Sequence, residues 1–184
     1  MASICATLKA GKDMSCTTPA RRYAQKAVLI NFDDIDRDTV VYPDLTAAEC
    51  AYEVEFSLLE GKTGYAIVGS EKGSAFFGTT ANSTSDLGYP QEIHTVQILL
   101  TGVDSETKCI LDSLSRGRFV AALKFSDDTI EIYGMQSGLT RGDGTYDVQG
   151  GGGGSLITLV SQETAPENYL PLVYKSATPG SEVA

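Results

Sequence analysis

The chain lacks tryptophan and has a single histidine, His94, among its 184 residues. General acid–base catalysis near neutral pH most often uses histidine, so only one residue of this type is available for it. The four cysteines, Cys5, Cys16, Cys50 and Cys109, are too widely spaced for the C-x-x-C pattern of a zinc site or a redox dithiol. We expect reduced thiols that serve mainly in packing, with a disulfide between Cys5 and Cys16 as the open alternative.

Long apolar runs are also missing. Charged side chains repeatedly interrupt the first thirty residues: Lys9, Lys12, Asp13, Arg21 and Arg22. This excludes the apolar core of a signal peptide from that stretch, and nothing later approaches the roughly 20 apolar residues of a membrane span. The sequence therefore predicts a protein made in a cytoplasm, without membrane association.

Basic residues are few as well: 14 stand against 24 acidic ones, for a formal net charge of -10. Such a balance argues against a surface built to neutralise a nucleic-acid backbone, although it also fits an acidity that merely keeps the protein soluble. The chain length suits one domain, and 42% hydrophobic residues suffice for a core. No metal or disulfide is needed to hold such a domain folded.

The apolar patterns predict a mainly β fold, a sandwich or barrel of about eight strands with one flanking α-helix. The β domain is expected over residues 25–162, between an N-terminal arm, 1–24, and a proline-punctuated C-terminal arm, 163–184. Predicted strands are 27–32, 39–42, 51–58, 64–69, 74–77, 91–101, 118–125, 129–135 and 155–162. Predicted turns and loops are 33–38, 70–73, 78–90, 126–128 and the Gly-rich stretch 136–154.

The one predicted helix follows residue 103. Asp104 suits the N-cap, and Gly117 suits the position just past the end. An apolar stripe along this helix is expected to face the core: Cys109, Ile110, Leu111 and Leu114.

Each candidate site in the sequence lacks an essential part. His94 lies inside a predicted strand and is expected to be packed or hydrogen-bonded rather than catalytic. Residues 34–38 contain alternating carboxylates, like the start of an EF-hand calcium loop. However, Thr39 stands where that loop has the glycine of its sharp turn, and Leu45 stands where it has the closing glutamate. A turn between strands is therefore predicted, with a weak calcium site built partly from elsewhere left open.

Two glycine-containing motifs are also interpreted as turns or loops. Gly150–Gly154 are five consecutive glycines, but no Lys-Ser or Lys-Thr pair follows, as a phosphate-binding loop requires. Arg141-Gly142-Asp143 matches a three-residue adhesion motif that arises easily by chance, and it is expected to form a turn. Hydrolase and zinc-protease motifs are absent, so we predict no enzyme, no cofactor, and no catalytic, cofactor-binding or metal-binding residues.

The C-terminal third resembles the tail tube proteins of long-tailed bacteriophages. The resemblance rests on FVAA at 119–122, IEIYG at 130–134, the Gly-rich stretch, LITL at 156–159 and Glu163, and it covers residues 118–169. The start, with Cys5, Cys16 and the stretch 31–35, is similar to small virion proteins of phages that infect Bacteroidetes. Residues 60–90 match neither pattern.

This resemblance implies a virion structural protein whose copies form hexameric rings, stacked into a tube through which DNA passes without specific binding. Its partners would be further copies and other virion tail or connector proteins. A head-tail connector, a tail terminator or a capsid decoration protein is the nearest alternative. A carbohydrate-binding or adhesin module is the alternative of another class, and it predicts an exposed aromatic platform.

Overall fold

The computed structural model describes residues 24–44, 51–68, 76–84, 90–101, 104–147, 154–162 and 166–175. These contain eleven strands, one α-helix and one 3-10 turn. The elements are β1 (Ala24–Asn31), the 3-10 turn (Phe32–Asp34), β2 (Ile35–Val41), β3 (Glu53–Leu58), β4 (Tyr65–Val68), β5 (Phe76–Thr84), β6 (Pro90–Thr101), α1 (Ser105–Arg116), β7 (Phe119–Phe125), β8 (Ile130–Tyr133), β9 (Leu139–Asp147), β10 (Gly154–Ser161) and β11 (Leu172–Tyr174). The predicted mainly β class with one helix is confirmed.

Strands β1 and β7 form the centre of the molecule. They pair antiparallel from Ala24↔Phe125 to Asn31↔Phe119. Four consecutive residues of β1 and five of β7 are buried. Their apolar runs do not alternate with polar residues because apolar side chains cover both faces of this strand pair.

One face of the central pair packs against a second layer made of β5, β6 and β10. Leu29, Leu123 and Tyr133 from the first layer meet Ile98 and Leu159 from the second. The two layers join at β9, because Phe119 at the start of β7 pairs with Leu139 at the start of β9. The chain therefore turns a corner between β8 and β9, and we call residues 134–138 the corner turn.

The other face of the central pair encloses a second apolar cluster. Six strands line it, and they are hydrogen-bonded in the order β2-β3-β11-β8-β7-β1. Side chains from the two ends of this series, Ile35 and Ile30, lie in the same cluster, so the sheet curls around it. Strand β11 is inserted between β3, to which it is parallel, and β8, to which it is antiparallel.

The helix begins and ends as predicted. The Asp104 carboxylate accepts from the Thr107 backbone N–H at 2.7 Å, and the Gly117 N–H bonds to the Ser113 carbonyl. Leu114 is buried and Leu111 partly so, but the expected stripe is too wide, since Cys109 and Ile110 are exposed.

Several strands differ from prediction. Residues 76–84 form β5 where a loop was expected from residue 78, because β6 pairs with them along their whole length. β9 occupies much of the predicted Gly-rich loop, so Arg141-Gly142-Asp143 lies in a strand and not in a turn. The acidic stretch 33–38 is a turn only as far as Asp34, and β2 begins at Ile35. The described residues thus contain eleven strands, which is more than the predicted number of about eight.

Residues 166–175, which the sequence assigns to the C-terminal arm, lie against the sheet and supply β11. Predictions for residues 1–23, 70–73 and 150–153, including those for Cys5 and Cys16, lie outside the described residues, as do Leu45, Cys50 and Glu163. Within the described ranges, no helix is long and apolar enough to cross a membrane.

Candidate functional site at the sheet corner

A buried polar network lies where the corner turn meets residues 166–175, which we call the clasp. Two residues at its centre, His94 and Glu167, are only 2% and 1% exposed. His94 comes from β6, whose alternation points it inward with Val96 and Ile98. Glu167 is held beside the same strand, because its backbone and that of Glu92 exchange hydrogen bonds of 2.8 and 2.9 Å.

The Glu167 carboxylate binds the corner turn. Its oxygens accept from the backbone N–H groups of Gln136, at 2.9 Å, and Ser137, at 2.9 Å, and from the Ser137 hydroxyl at 2.8 Å. In return, the Gln136 side-chain carbonyl accepts from the Asn168 N–H at 2.6 Å. A buried carboxylate needs such donors. In return, the carboxylate provides acceptors for backbone N–H groups of the corner turn.

Both ring nitrogens of His94 bind backbone. Nδ1 accepts from the Gly134 N–H at 3.1 Å, and Nε2 lies 2.8 Å from the Tyr169 carbonyl oxygen. Since Nδ1 accepts, the hydrogen must be on Nε2, which makes this a neutral imidazole. Burial lowers the pKa of His94, while the Glu167 charge and the Tyr169 carbonyl act in the opposite direction.

The corner turn also depends on its glycines. Gly134 and Gly138 have φ values of +74° and +78°, where a side chain is strained, and their backbones bond to each other at 2.9 Å. Arg37 donates to the Met135 carbonyl inside the turn. Its guanidinium stacks on the ring of Phe32, at 3.9 Å from the centroid, as does that of Arg118, at 3.7 Å.

Tyr42 and Tyr52 lie beside the clasp and, together with its Tyr169, form a cluster of three tyrosines. Tyr42 stacks on Tyr169 with ring centroids 5.6 Å apart, and Tyr52 meets Tyr169 edge-on at 6.2 Å. All three are half-buried, and the Tyr52 hydroxyl accepts from the Leu170 N–H at 2.8 Å. Burial raises the pKa of Tyr42, against the effect of the neighbouring Arg37.

Of the sequence-predicted candidates, His94 lies at the corner, and the stretch 34–38 reaches the corner turn through Arg37, which donates to the Met135 carbonyl. His94 is packed and hydrogen-bonded as expected. Asp34, the first residue of the incomplete calcium loop, instead binds Lys62 at 2.9 Å and the Asn31 amide at 2.8 Å. No group of three potential metal ligands occurs in the part of the chain that the structure describes.

Sequence reasoning missed Glu167, Arg37 and the tyrosine cluster. Their partners lie far along the chain: 31 residues separate Glu167 from Gln136, and 98 separate Arg37 from Met135. The available signal was the sequence of the clasp itself, where Tyr169, Leu172 and Tyr174 are too apolar for a solvated arm.

Comparison with protein-family models, with curated proteins and with solved structures gives no match. The chemistry of the corner therefore has to be interpreted from its own geometry. Every polar group at its centre binds backbone of another segment. The arrangement can join the clasp, β6 and the corner turn, and a substrate would have to break one of these bonds to reach either nitrogen of His94.

Proposed function

We propose that this protein is a non-catalytic structural subunit that assembles with copies of itself, and specifically a phage tail tube subunit. Copies would form hexameric rings that stack into a hollow channel, within a virion whose proteins are made in the host cytoplasm. The observation that supports this proposal best is the edge of strand β5.

Strand β5 pairs with β6 over nine residues on one side, and no described strand pairs with its other side. Its sequence, FFGTTANST, contains no charge and no proline. Edge strands of soluble monomers are usually protected by such residues, because an open edge is a template for strand addition. A long edge without that protection favours pairing with another chain.

The edge of β2 provides a contrast within the same molecule. It carries Asp36, Arg37 and Asp38, and its pairing with β3 is interrupted by a register shift between Asp36 and Val41. Charges and irregular pairing of this kind discourage strand addition. The absence of these devices from β5 is therefore a property of that strand and not of the whole sheet.

A second uncharged edge is provided by β4, which pairs only with β1 among the described strands. Its side chains include Tyr65 and Val68, which are 61% and 75% exposed. Two different edges on one subunit permit a head-to-tail contact, which closes into a ring or continues as a filament. The net charge of -10 suits a channel wall that repels DNA phosphates and does not retain them.

The test is light scattering over a concentration series, combined with electron microscopy. We expect the mass to rise from 19.5 kDa to multiples of it, and rings or tubes to form at high concentration. A protein that stays monodisperse and monomeric, with neither rings nor tubes, would contradict the proposal.

The role of β5 is tested with a charge-matched pair of variants. Thr79→Lys/Ala81→Lys adds two charges to exposed positions on β5, and Thr63→Lys/Ser126→Lys adds two to exposed loop positions. We expect the first to need at least about tenfold more protein to assemble, which corresponds to about 1.4 kcal/mol, and the second to behave like the wild type. Equal assembly by both variants would exclude the β5 edge.

Two other functions stay open to experiment. A connector or tail terminator would be present in a purified particle at far lower copy number than a tube subunit. A decoration protein would be found on the capsid. A carbohydrate-binding module is favoured by one observation, the half-exposed cluster of Tyr42, Tyr52 and Tyr169. Glycan binding that is lost in Tyr42→Ala would support that function instead.

A further inference from the structure

The layer made of β5, β6 and β10 has a second face, which is turned away from the core. In β6, the buried residues His94, Val96 and Ile98 point inward, so the residues between them point to the other side. The antiparallel pairings of β6 with β5 and β10 bring residues of all three strands onto that side. We call this surface the outer face, and its described side chains are Thr79 and Ala81 of β5, Ile93, Thr95, Gln97 and Leu99 of β6, and Leu156, Thr158 and Val160 of β10.

The outer face carries no charge, although the chain has a formal net charge of -10. None of its nine side chains is ionisable, and four of them are leucine, isoleucine or valine. Strand β3 is different, because its buried residues, Val54 and Phe56, alternate with polar ones. These are Glu53, Glu55 and Ser57. Such alternation is typical of an antiparallel sheet with one solvated face, and the outer face departs from it.

The apolar residues of the outer face take no part in the core. Leu99 is 40% exposed. Ile93, Leu156 and Val160 are partly exposed, and they belong to neither of the two apolar clusters in the part of the chain that the structure describes. The outer face is therefore an apolar, uncharged surface that is available to a partner.

The charge and the size of the outer face indicate which partner fits it. Copies of an acidic chain repel each other, and an uncharged surface is where they can approach most closely. Strand spacing and rise give the outer face an area of roughly 350 Å². A stable interface needs about 800 Å² per partner, so this surface cannot hold a partner alone. The adjoining β5 edge offers the additional contact, because Thr79 and Ala81 lie on the same strand.

We propose that the outer face packs against a further copy of this chain, as a second contact beside the β5 edge. Pairing along β5 extends the sheet in its own plane, whereas packing on the outer face adds another layer to it. This inference rests on the self-assembly in the proposed function, but it does not depend on the tube. Since neither contact suffices alone, each should strengthen the other once a copy is bound.

The first experiment is hydroxyl-radical footprinting of the full chain, at one concentration where light scattering gives the monomer and at one where it gives the assembly. We expect oxidation of Leu99 and Leu156 to fall severalfold on assembly. Val41 on the charged β2 edge is 60% exposed and should keep its reactivity. A fall of the same size at Val41 would indicate general shielding and would overturn the inference.

Hydrogen exchange of the β5 amides separates this inference from the proposed function. If these amides gain protection on assembly while Leu99 and Leu156 stay as reactive as in the monomer, the edge contact stands and the inference is overturned. If Leu99 and Leu156 are already protected in the monomer, the chain covers its own outer face, which also overturns it. A protein that never assembles overturns both.

The second experiment uses variants of β10, which is two strands away from the β5 edge. We expect Leu156→Lys/Thr158→Lys to need at least about tenfold more protein to assemble than the wild type. Thr63→Lys/Ser126→Lys is the charge-matched control, and the uncharged Leu156→Met/Thr158→Val is the control for shape. Both controls should assemble like the wild type. Unchanged assembly of the Leu156→Lys/Thr158→Lys variant would overturn the inference, and if that variant does not fold, the wild-type footprint decides.

Discussion

Replacement of Glu167 by glutamine tests whether the corner is held by its buried carboxylate. Glutamine keeps the size of the side chain, but one oxygen becomes an NH₂ group that faces a backbone donor. The carboxylate of Glu167 now accepts from two N–H groups of the corner turn and from the Ser137 hydroxyl. Glutamine retains only one acceptor oxygen, so at most the hydrogen bonds to that oxygen survive. These bonds are then made to a neutral amide and not to a charged carboxylate.

The magnitude follows from that count. A hydrogen bond to a charged group contributes about 1.5–3 kcal/mol, and a neutral one about 1 kcal/mol. One charged bond is lost, the remaining ones weaken, and the lower desolvation cost of a neutral side chain offsets part of this. We expect Glu167→Gln to lower the free energy of unfolding by about 2–4 kcal/mol.

The assay is urea unfolding at pH 7, followed by circular dichroism, at a concentration where light scattering gives a single mass. Glu60→Gln is the matched control, because Glu60 is exposed, and it should stay within about 0.5 kcal/mol of the wild type. If Glu167→Gln also stays within about 0.5 kcal/mol, the network contributes little to stability and our interpretation of the corner is wrong.

Three further predictions concern other parts of the fold. A β-carbon on Gly78 would lie 2.3 Å from the ring of Tyr133, so Gly78→Ala should cost about 1–3 kcal/mol in urea unfolding. Leu114→Ala should cost about 2–5 kcal/mol in the same assay, whereas Ile110→Ala on the exposed side of α1 should cost far less; equal losses would contradict the helix orientation. Bonds from an asparagine and a lysine lower the pKa of Asp34, so the stability it contributes is complete above about pH 3.9 and is lost as the pH falls through the folded value. Thermal unfolding from pH 5 to 3 should therefore show a shallower loss in Asp34→Asn than in the wild type.

The elements predicted well are those whose local signals agree with their tertiary surroundings. The apolar run at 27–32 predicts a strand, and in the structure its first five residues lie in β1, which is paired with β7 and has four consecutive buried residues. At the start of α1, the Asp104 side chain caps the helix by accepting from the N–H of Thr107, which is only three residues later, so the local sequence alone determines this contact. Such features need no knowledge of distant partners.

Strand β9 shows why other elements were missed. Its glycines at 142 and 144 weaken any strand preference, and residues 136–154 contain many more. It is a strand because β10 pairs with it from Gly154↔Asp147 to Ser161↔Leu139. Hydrogen bonds to a partner later in the sequence decide the conformation here, and local propensity does not.

The candidate site was least predictable, for the same reason. The sequence identifies His94 as a packed strand residue, but its ring partners Gly134 and Tyr169 are 40 and 75 positions away. Glu167 falls in a stretch with nearby prolines, which usually indicates an extended arm. That local inference about extension is sound, but an extended segment can also complete a sheet, as β11 does.

The insertion of β11 between β3 and β8 constrains the order in which the protein can fold. During synthesis from the N-terminus, β3 emerges from the ribosome more than a hundred residues before its neighbour Leu172–Tyr174. Until then β3 and β8 each have an unpaired side, and the curled half of the sheet cannot close. Pairings this distant in sequence slow folding and leave open strands in a growing chain. A cell that makes many copies at once would thus hold a population of unfinished chains, whose protection by chaperones would decide the yield of folded protein.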